Sequence, residues 1–152
     1  MKNKIIERIN SEGPISFETF MEMALYYPDL GYYTRESAKI GRTGDFYTSP
    51  HLHHIFGAMI GRQMEEMWVF MERPEIFHVV EMGAGMGYLA SDMLEYLRNK
   101  ELFGRIKYTI VELNQSMRAN QKILLKEFPN KVGWVSDIEE LETVSGCFFG
   151  QG

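Results

Sequence analysis

The stretch Phe77-His78-Val79-Val80-Glu81-Met82-Gly83-Ala84-Gly85-Met86-Gly87 most narrowly limits what this chain can fold into. A short apolar run meets an acid and then three glycines at alternating positions. Tyr88 to Leu97 follows with apolar residues at 89, 90, 93, 94 and 97, the spacing of one helical face. Strand, tight glycine turn and helix open a nucleotide-binding α/β unit. Glycine is required where the backbone turns into conformations that a Cβ resists, or where a ligand approaches it closely. The start of the helix offers N–H groups with no partner inside the helix.

Downstream, the pattern repeats. Ile106 to Val111 alternates as a strand with Glu112 at its end, and Ser116 to Leu125 reads as a helix. Val132 to Val135 is a third strand with Asp137 just beyond it. Ile138 to Leu141 is a partial helical turn, and Gly146 to Phe149 begins a fourth strand. The expected strands lie near 76–81, 106–111, 131–135 and 146–149. This alternation predicts an α/β fold with a parallel sheet.

Upstream, the chain is helical. Lys2 to Ile9 is amphipathic, and Phe17 to Tyr26 carries an apolar stripe behind Ser16, a good N-cap. The aromatic turn Tyr27 to Tyr33 suits either a satellite core or a ligand wall. From Pro50 to Trp68 apolar residues recur at helical spacing, and Gly57 and Gly61 would admit a close helix–helix or helix–sheet approach. Glu72 to Glu75 separates these helices from the first strand. The expected domains are therefore residues 1–74, a helical and lid region, and 75–152, part of a ligand-binding α/β domain. The loop Gly41 to Pro50 gathers Asp45, Tyr47, Thr48 and Ser49 around one bend. It reads as a ligand-facing loop, as a turn with Ser49 capping the next helix and Pro50 at its first position, or as both.

Composition excludes several classes. The net charge of -5 argues against a broad nucleic-acid surface. No apolar run approaches the roughly 18–20 residues of a membrane span. A single cysteine, Cys147, forms no internal disulfide and fits a reducing compartment. With no secretory signal in the sequence, the expected location is cytoplasmic. His51, His53 and His54 are poorly spaced for a metal, so no metal site is expected. The eleven methionines read as soft core filling, with a partner groove as the alternative.

The acids select among nucleotides. The spacing is G-x-G-x-G rather than the dinucleotide G-x-G-x-x-G, and Glu81 two residues before the first glycine would repel a pyrophosphate. Glu81 can instead receive an amino group or water near an amino-acid tail. Glu112 can bridge two ribose hydroxyls, and Asp137 can accept from an adenine amino group. Glycines with three strand-end acids suit S-adenosylmethionine. Glu112 and Asp137 each also fit a plain exposed or helix-capping role.

Residues 77–87 resemble motif I of the class I S-adenosylmethionine methyltransferases. The whole chain resembles the N-terminal half of the MidA (DUF185) family, whose mitochondrial members are protein arginine methyltransferases acting in respiratory complex I assembly. The matching blocks are Gly13 to Phe17 with Met21, Tyr26-Tyr27-Pro28, Leu30 to Tyr33, Gly44 to Pro50, Phe56-Gly57, Val80 to Gly87, Leu89-Ala90 and Val111 to Asn114. The resemblance implies a Rossmann-like class I methyltransferase fold with an N-terminal helical extension. It implies S-adenosyl-L-methionine as cofactor, with Gly83, Gly85 and Gly87 cradling its methionine part, Glu112 on the ribose and Asp137 on the adenine side. The loop from Asp45 to Pro50, with Thr48 and Ser49, would fold over cofactor or acceptor, and Asp45 is the candidate catalytic acid. The implied reaction is methyl transfer to a protein side chain such as arginine. A non-catalytic assembly protein on the same fold and a small-molecule methyltransferase are the alternatives. His51 departs from the acid that often follows Pro50 in the family, and the chain ends before the family's later strands. Truncation is therefore expected, and whether the chain catalyses is left open, as is oligomerisation.

Overall fold

The computed structural model describes residues 1–34 and 54–150. The chain divides into two compact units, Met1–Ala38 and Lys39–Gly152.

In the first unit, α1 (Lys2–Glu12) runs one turn further than its apolar positions suggest and ends at Gly13, whose φ of 89° is left-handed. Helix α2 (Phe17–Tyr26) begins as expected. Ser16 Oγ accepts the N–H of Thr19 at 3.1 Å, which satisfies one of the orphan donors of the first turn. In the aromatic turn, Tyr26 stacks on Tyr33 at 5.6 Å between ring centres, and Tyr32 meets Tyr33 edge-on at 5.1 Å.

The second unit holds α3 (Ile55–Phe70), β1 (Phe77–Met82), α4 (Tyr88–Leu97), α5 (Glu101–Arg105), β2 (Ile106–Val111), α6 (Gln115–Leu124), β3 (Val132–Val135), a 3-10 turn (Ile138–Glu140) and β4 (Gly146–Gly150). The sequence expectation grouped α3 with the upstream helices; it lies in the same compact unit as the sheet. The four strands form one sheet in the order β3-β2-β1-β4, and every pairing is parallel. This is the parallel α/β sheet expected from the alternating pattern, in the Rossmann-like arrangement that the family resemblance implies.

Strand β1 is central, which explains its nearly continuous apolar run: Phe77, Val79 and Val80 are all buried. Phe77 and Val79 share a face with Ile106, Tyr108 and Ile110 of β2. That face joins Ala90, Met93, Leu94 and Leu97 of α4, and Met64 and Trp68 of α3, in one apolar core. The Trp68 indole N–H donates to the Pro74 carbonyl at 3.0 Å, satisfying the one polar atom of a nearly buried ring. Gly57 and Gly61 bring α3 against α4. A Cβ on Gly57 would lie 2.4 Å from Asp92 Cβ, and one on Gly61 would lie 2.8 Å from the Tyr96 ring. Of the two approaches that the G-x-x-x-G spacing allowed, the fold uses helix on helix.

Helix α5 has no counterpart among the elements expected from the sequence. Five residues are too few to show a period, and what holds the helix in place is the complete burial of Leu102. Helix α6 starts one residue earlier than expected. The side chain of Asn114 accepts the N–H groups of Ser116 at 2.9 Å and Met117 at 3.1 Å, making it the N-cap. The expected Ser49 cap and Pro50 helix start lie outside the described residues.

Candidate functional site

All four strands point the same way, so their carboxyl ends form one edge. Strand β1 leads to β2 on one side, whereas β4 lies on its other side. The edge above β1 is thus the point where the winding reverses, the place where open α/β sheets bind ligands. The glycine loop sits at that point. Gly83, Gly85 and Gly87 have φ of 76°, 53° and 89°, all left-handed. Each glycine of the motif therefore occupies a conformation that side chains resist. Gly87 is the N-cap residue of α4 and, being glycine, supplies no side-chain cap to that helix.

Glu112 stands beside this loop, just past β2. One carboxylate oxygen accepts the Asn114 N–H at 2.7 Å and the other accepts Gln121 Nε2 at 3.3 Å. Burial pushes its pKa up, while the Asn114 N–H, Gln121 and the Arg118 charge oppose that shift. A carboxylate held at both oxygens still has lone pairs to spare, which suits a bridge to two ribose hydroxyls. Arg118 ties the next strand in. Its Nη2 donates to the Glu112 carbonyl at 2.6 Å and to Ser136 Oγ at 3.0 Å.

Asp137 lies past β3 and is the N-cap of the 3-10 turn. It accepts the Glu139 N–H at 2.9 Å, while Glu140 accepts the Ser136 and Asp137 N–H groups in a capping box. This is the capping role that the sequence held open for it. Asp45, Thr48 and Ser49 lie outside the described residues.

Glu81 is fully buried in the sheet layer, and its carboxylate accepts the Tyr108 hydroxyl at 2.6 Å. Burial raises its pKa from 4.5 to about 7, with the Tyr108 bond pulling the other way. Across that window the folded chain keeps a proton that the unfolded chain releases, so stability falls as pH rises, by about 3 kcal/mol in total. Glu81→Gln keeps an acceptor for Tyr108 and removes the titration. Urea unfolding at about pH 5 and about pH 8 should show the variant losing about 2–3 kcal/mol less than the wild type between them. Equal losses would rule out a buried, raised Glu81.

Two site residues escaped the sequence reading. Tyr108 looked like one more alternating strand residue. Gln121 looked like a polar position on α6, yet it is fully buried and bonded to Gly85, Glu112 and Trp134. Its apolar neighbours, Leu124 at the end of the same helix and Leu125 at its C-cap, were a faint cue to a buried face.

A parallel sheet with a glycine loop at its switch point and an acid ending the neighbouring strand defines a Rossmann-like nucleotide-binding fold, and the relatives below make it that of a class I methyltransferase. The comparisons agree. The chain belongs to the family described as "Putative S-adenosyl-L-methionine-dependent methyltransferase", whose model matches residues 59–151. This is the MidA/DUF185-like group that the motif blocks resemble. It is 31% identical to the mouse mitochondrial protein arginine methyltransferase NDUFAF7, over 96% of this chain and 34% of that protein. It is 38% identical to the Xenopus laevis mitochondrial NDUFAF7, over 68% of this chain and 23% of that one. A crystal structure of a Burkholderia thailandensis protein bound to S-adenosyl-homocysteine superposes with a TM-score of 0.79 at 30% identity, covering 97% of this chain and 39% of that chain. The chain thus spans about a third or less of the length of the curated relatives cited here. The family's cofactor is S-adenosyl-L-methionine.

The expected cytoplasmic location is corrected by these relatives, which are named as mitochondrial proteins. The composition of a folded domain separates disulfide-rich and membrane classes but does not encode an organelle, because addresses are read by receptors from separate signals. No helix among the described residues is long and apolar enough to cross a membrane.

Proposed function

We propose that this chain carries the cofactor site of an S-adenosyl-L-methionine-dependent methyltransferase acting on a protein side chain, with arginine as the acceptor. The observation that carries the reading is the juxtaposition of the left-handed glycine loop with Glu112 at the sheet's switch point. When bound, the cofactor supplies an electrophilic methyl group on a sulfonium. The backbone of Gly83 to Gly87 supports its amino-acid end, and Glu112 takes the ribose hydroxyls. Asp137 is assigned to the adenine side because it ends the strand next to Glu112. Glu81 is assigned to the cofactor's amino group on position alone, since its side chain is buried. Thr48 and Ser49 are assigned to the loop over the cofactor, and Asp45 to orienting the acceptor guanidinium. Those three roles rest on the sequence resemblance. Methyl transfer then depends on positioning an acceptor nitrogen against the methyl group and on nearby carboxylates. The protein-arginine acceptor rests on the names of the curated relatives.

Titration calorimetry with S-adenosyl-homocysteine tests the cofactor site. Glu112→Ala should weaken binding by about 1–3 kcal/mol, the scale of lost charge-assisted hydrogen bonds. Unchanged affinity would remove Glu112 from the site. Incubation with radiolabelled S-adenosylmethionine and either proteome or metabolite extract tests the acceptor. Label confined to small molecules would refute a protein substrate.

A further inference from the structure

We propose that Gln121 is a positioning residue of this site: its side-chain amide locks the Gly85 carbonyl and the Glu112 carboxylate in the relative placement that the cofactor requires. The inference rests on the cofactor reading above. The Gln121 side chain is fully buried. Its Nε2 donates to the Gly85 carbonyl at 2.7 Å and to Glu112 Oε2 at 3.3 Å. Its Oε1 accepts the Trp134 indole N–H at 3.0 Å. An indole nitrogen only donates, whereas a carbonyl and a carboxylate only accept. Trp134 therefore dictates which way the amide points, and in that orientation both amide hydrogens face the two site elements. The stem of Gln121 also lies against Gly87, where a Cβ would come within 3.5 Å of Gln121 Cγ. One side chain on α6 thus braces the glycine loop after β1, the acid after β2 and the ring on β3. A glutamine serving only to fill the core would not direct both of its donors to the two groups assigned to the cofactor.

Substitution by an acid of the same shape separates positioning from packing. Gln121→Glu sets a carboxylate against the Glu112 carboxylate and the Gly85 carbonyl. The charged groups around this pair are Glu112 from the end of β2, and Arg118 and Lys122 from α6, the latter over the Trp134 ring. Two carboxylates this close share a proton as pH falls, and the shared proton restores a donor. Measured by calorimetry, S-adenosyl-homocysteine affinity of Gln121→Glu should fall at least about tenfold at about pH 8 and recover relative to the wild type at about pH 5.5. Gln121→Leu should lose at least about tenfold at both pH values. In the cofactor-free chain, amide hydrogen exchange at Gly85 to Tyr88 should be at least about tenfold faster in Gln121→Leu than in the wild type. If the leucine variant does not fold, Trp134→Phe, which keeps a ring but frees the amide to turn, carries the same two measurements. Wild-type affinity in folded Gln121→Glu at high pH, or unchanged loop exchange in the leucine or phenylalanine variant, overturns the proposal. If the wild-type chain itself does not bind S-adenosyl-homocysteine, the cofactor reading of this chain fails, and the exchange rates alone decide whether Gln121 holds the loop.

Discussion

Gly85→Arg should abolish S-adenosyl-homocysteine binding, with affinity reduced at least about a hundredfold, while the chain stays folded. Gly85 is half-buried in the middle of the loop with φ of 53°, close to the left-handed helical well. A larger residue in that well costs on the order of 1–2 kcal/mol, which a domain tolerates. The cradle is far less tolerant. The loop's worth to a ligand lies in backbone that can be approached without a side chain in the way, and an arginine there fills the approach. Circular dichroism and the melting temperature should stay close to the wild type while calorimetric binding disappears. Unchanged binding in a folded variant would sink the assignment of this loop to the cofactor.

Gly146→Ala should be the most destabilising single methyl addition in the sheet. Gly146 begins β4 opposite His78 of β1, with φ of 155°. An ideal Cβ there would stand 1.9 Å from the His78 carbonyl oxygen and 2.8 Å from its carbonyl carbon and nitrogen. All three obstacles are backbone, so no rotamer change relieves the overlap. Strand β4 must move away from β1, loosening a register that includes the His78 N–H to Ser145 carbonyl bond at 2.9 Å. A loss of at least about 3 kcal/mol in urea unfolding is expected, the range of severe core overpacking. A loss under about 1 kcal/mol would show that β4 does not need this close approach.

These two glycines illustrate how much was legible beforehand. Gly85 belongs to a motif whose alternating spacing after an apolar run is visible in one dimension, because left-handed backbone at three alternating positions has few solutions other than glycine. Gly146 carries no motif. Its need arises from a neighbour on β1 far away in sequence, and only the pairing register reveals it. The same contrast separates Glu112 from Gln121. An acid at the end of an alternating strand marks itself, whereas a glutamine on a polar helix looks like solvent-facing surface until the sheet closes over it. Asp137 is the intermediate case. Its place after β3 was readable, but whether its carboxylate caps a turn depended on the 3-10 conformation that follows.

Local periodicity and turn chemistry sufficed for the strand–loop–helix at 77–97, the repeated α/β units, the Ser16 cap and the resemblance that points to S-adenosylmethionine. Those features are short-range, and hydrophobic spacing and glycine's backbone freedom record them directly in the chain. The order β3-β2-β1-β4, the seating of α3 on α4, the buried Glu81–Tyr108 bond and the amide of Gln121 joining three strand ends emerged only on folding. Each depends on residues distant in sequence meeting in a low-dielectric interior, where an unmet hydrogen-bonding group is costly and partners are chosen by geometry rather than by position in the chain.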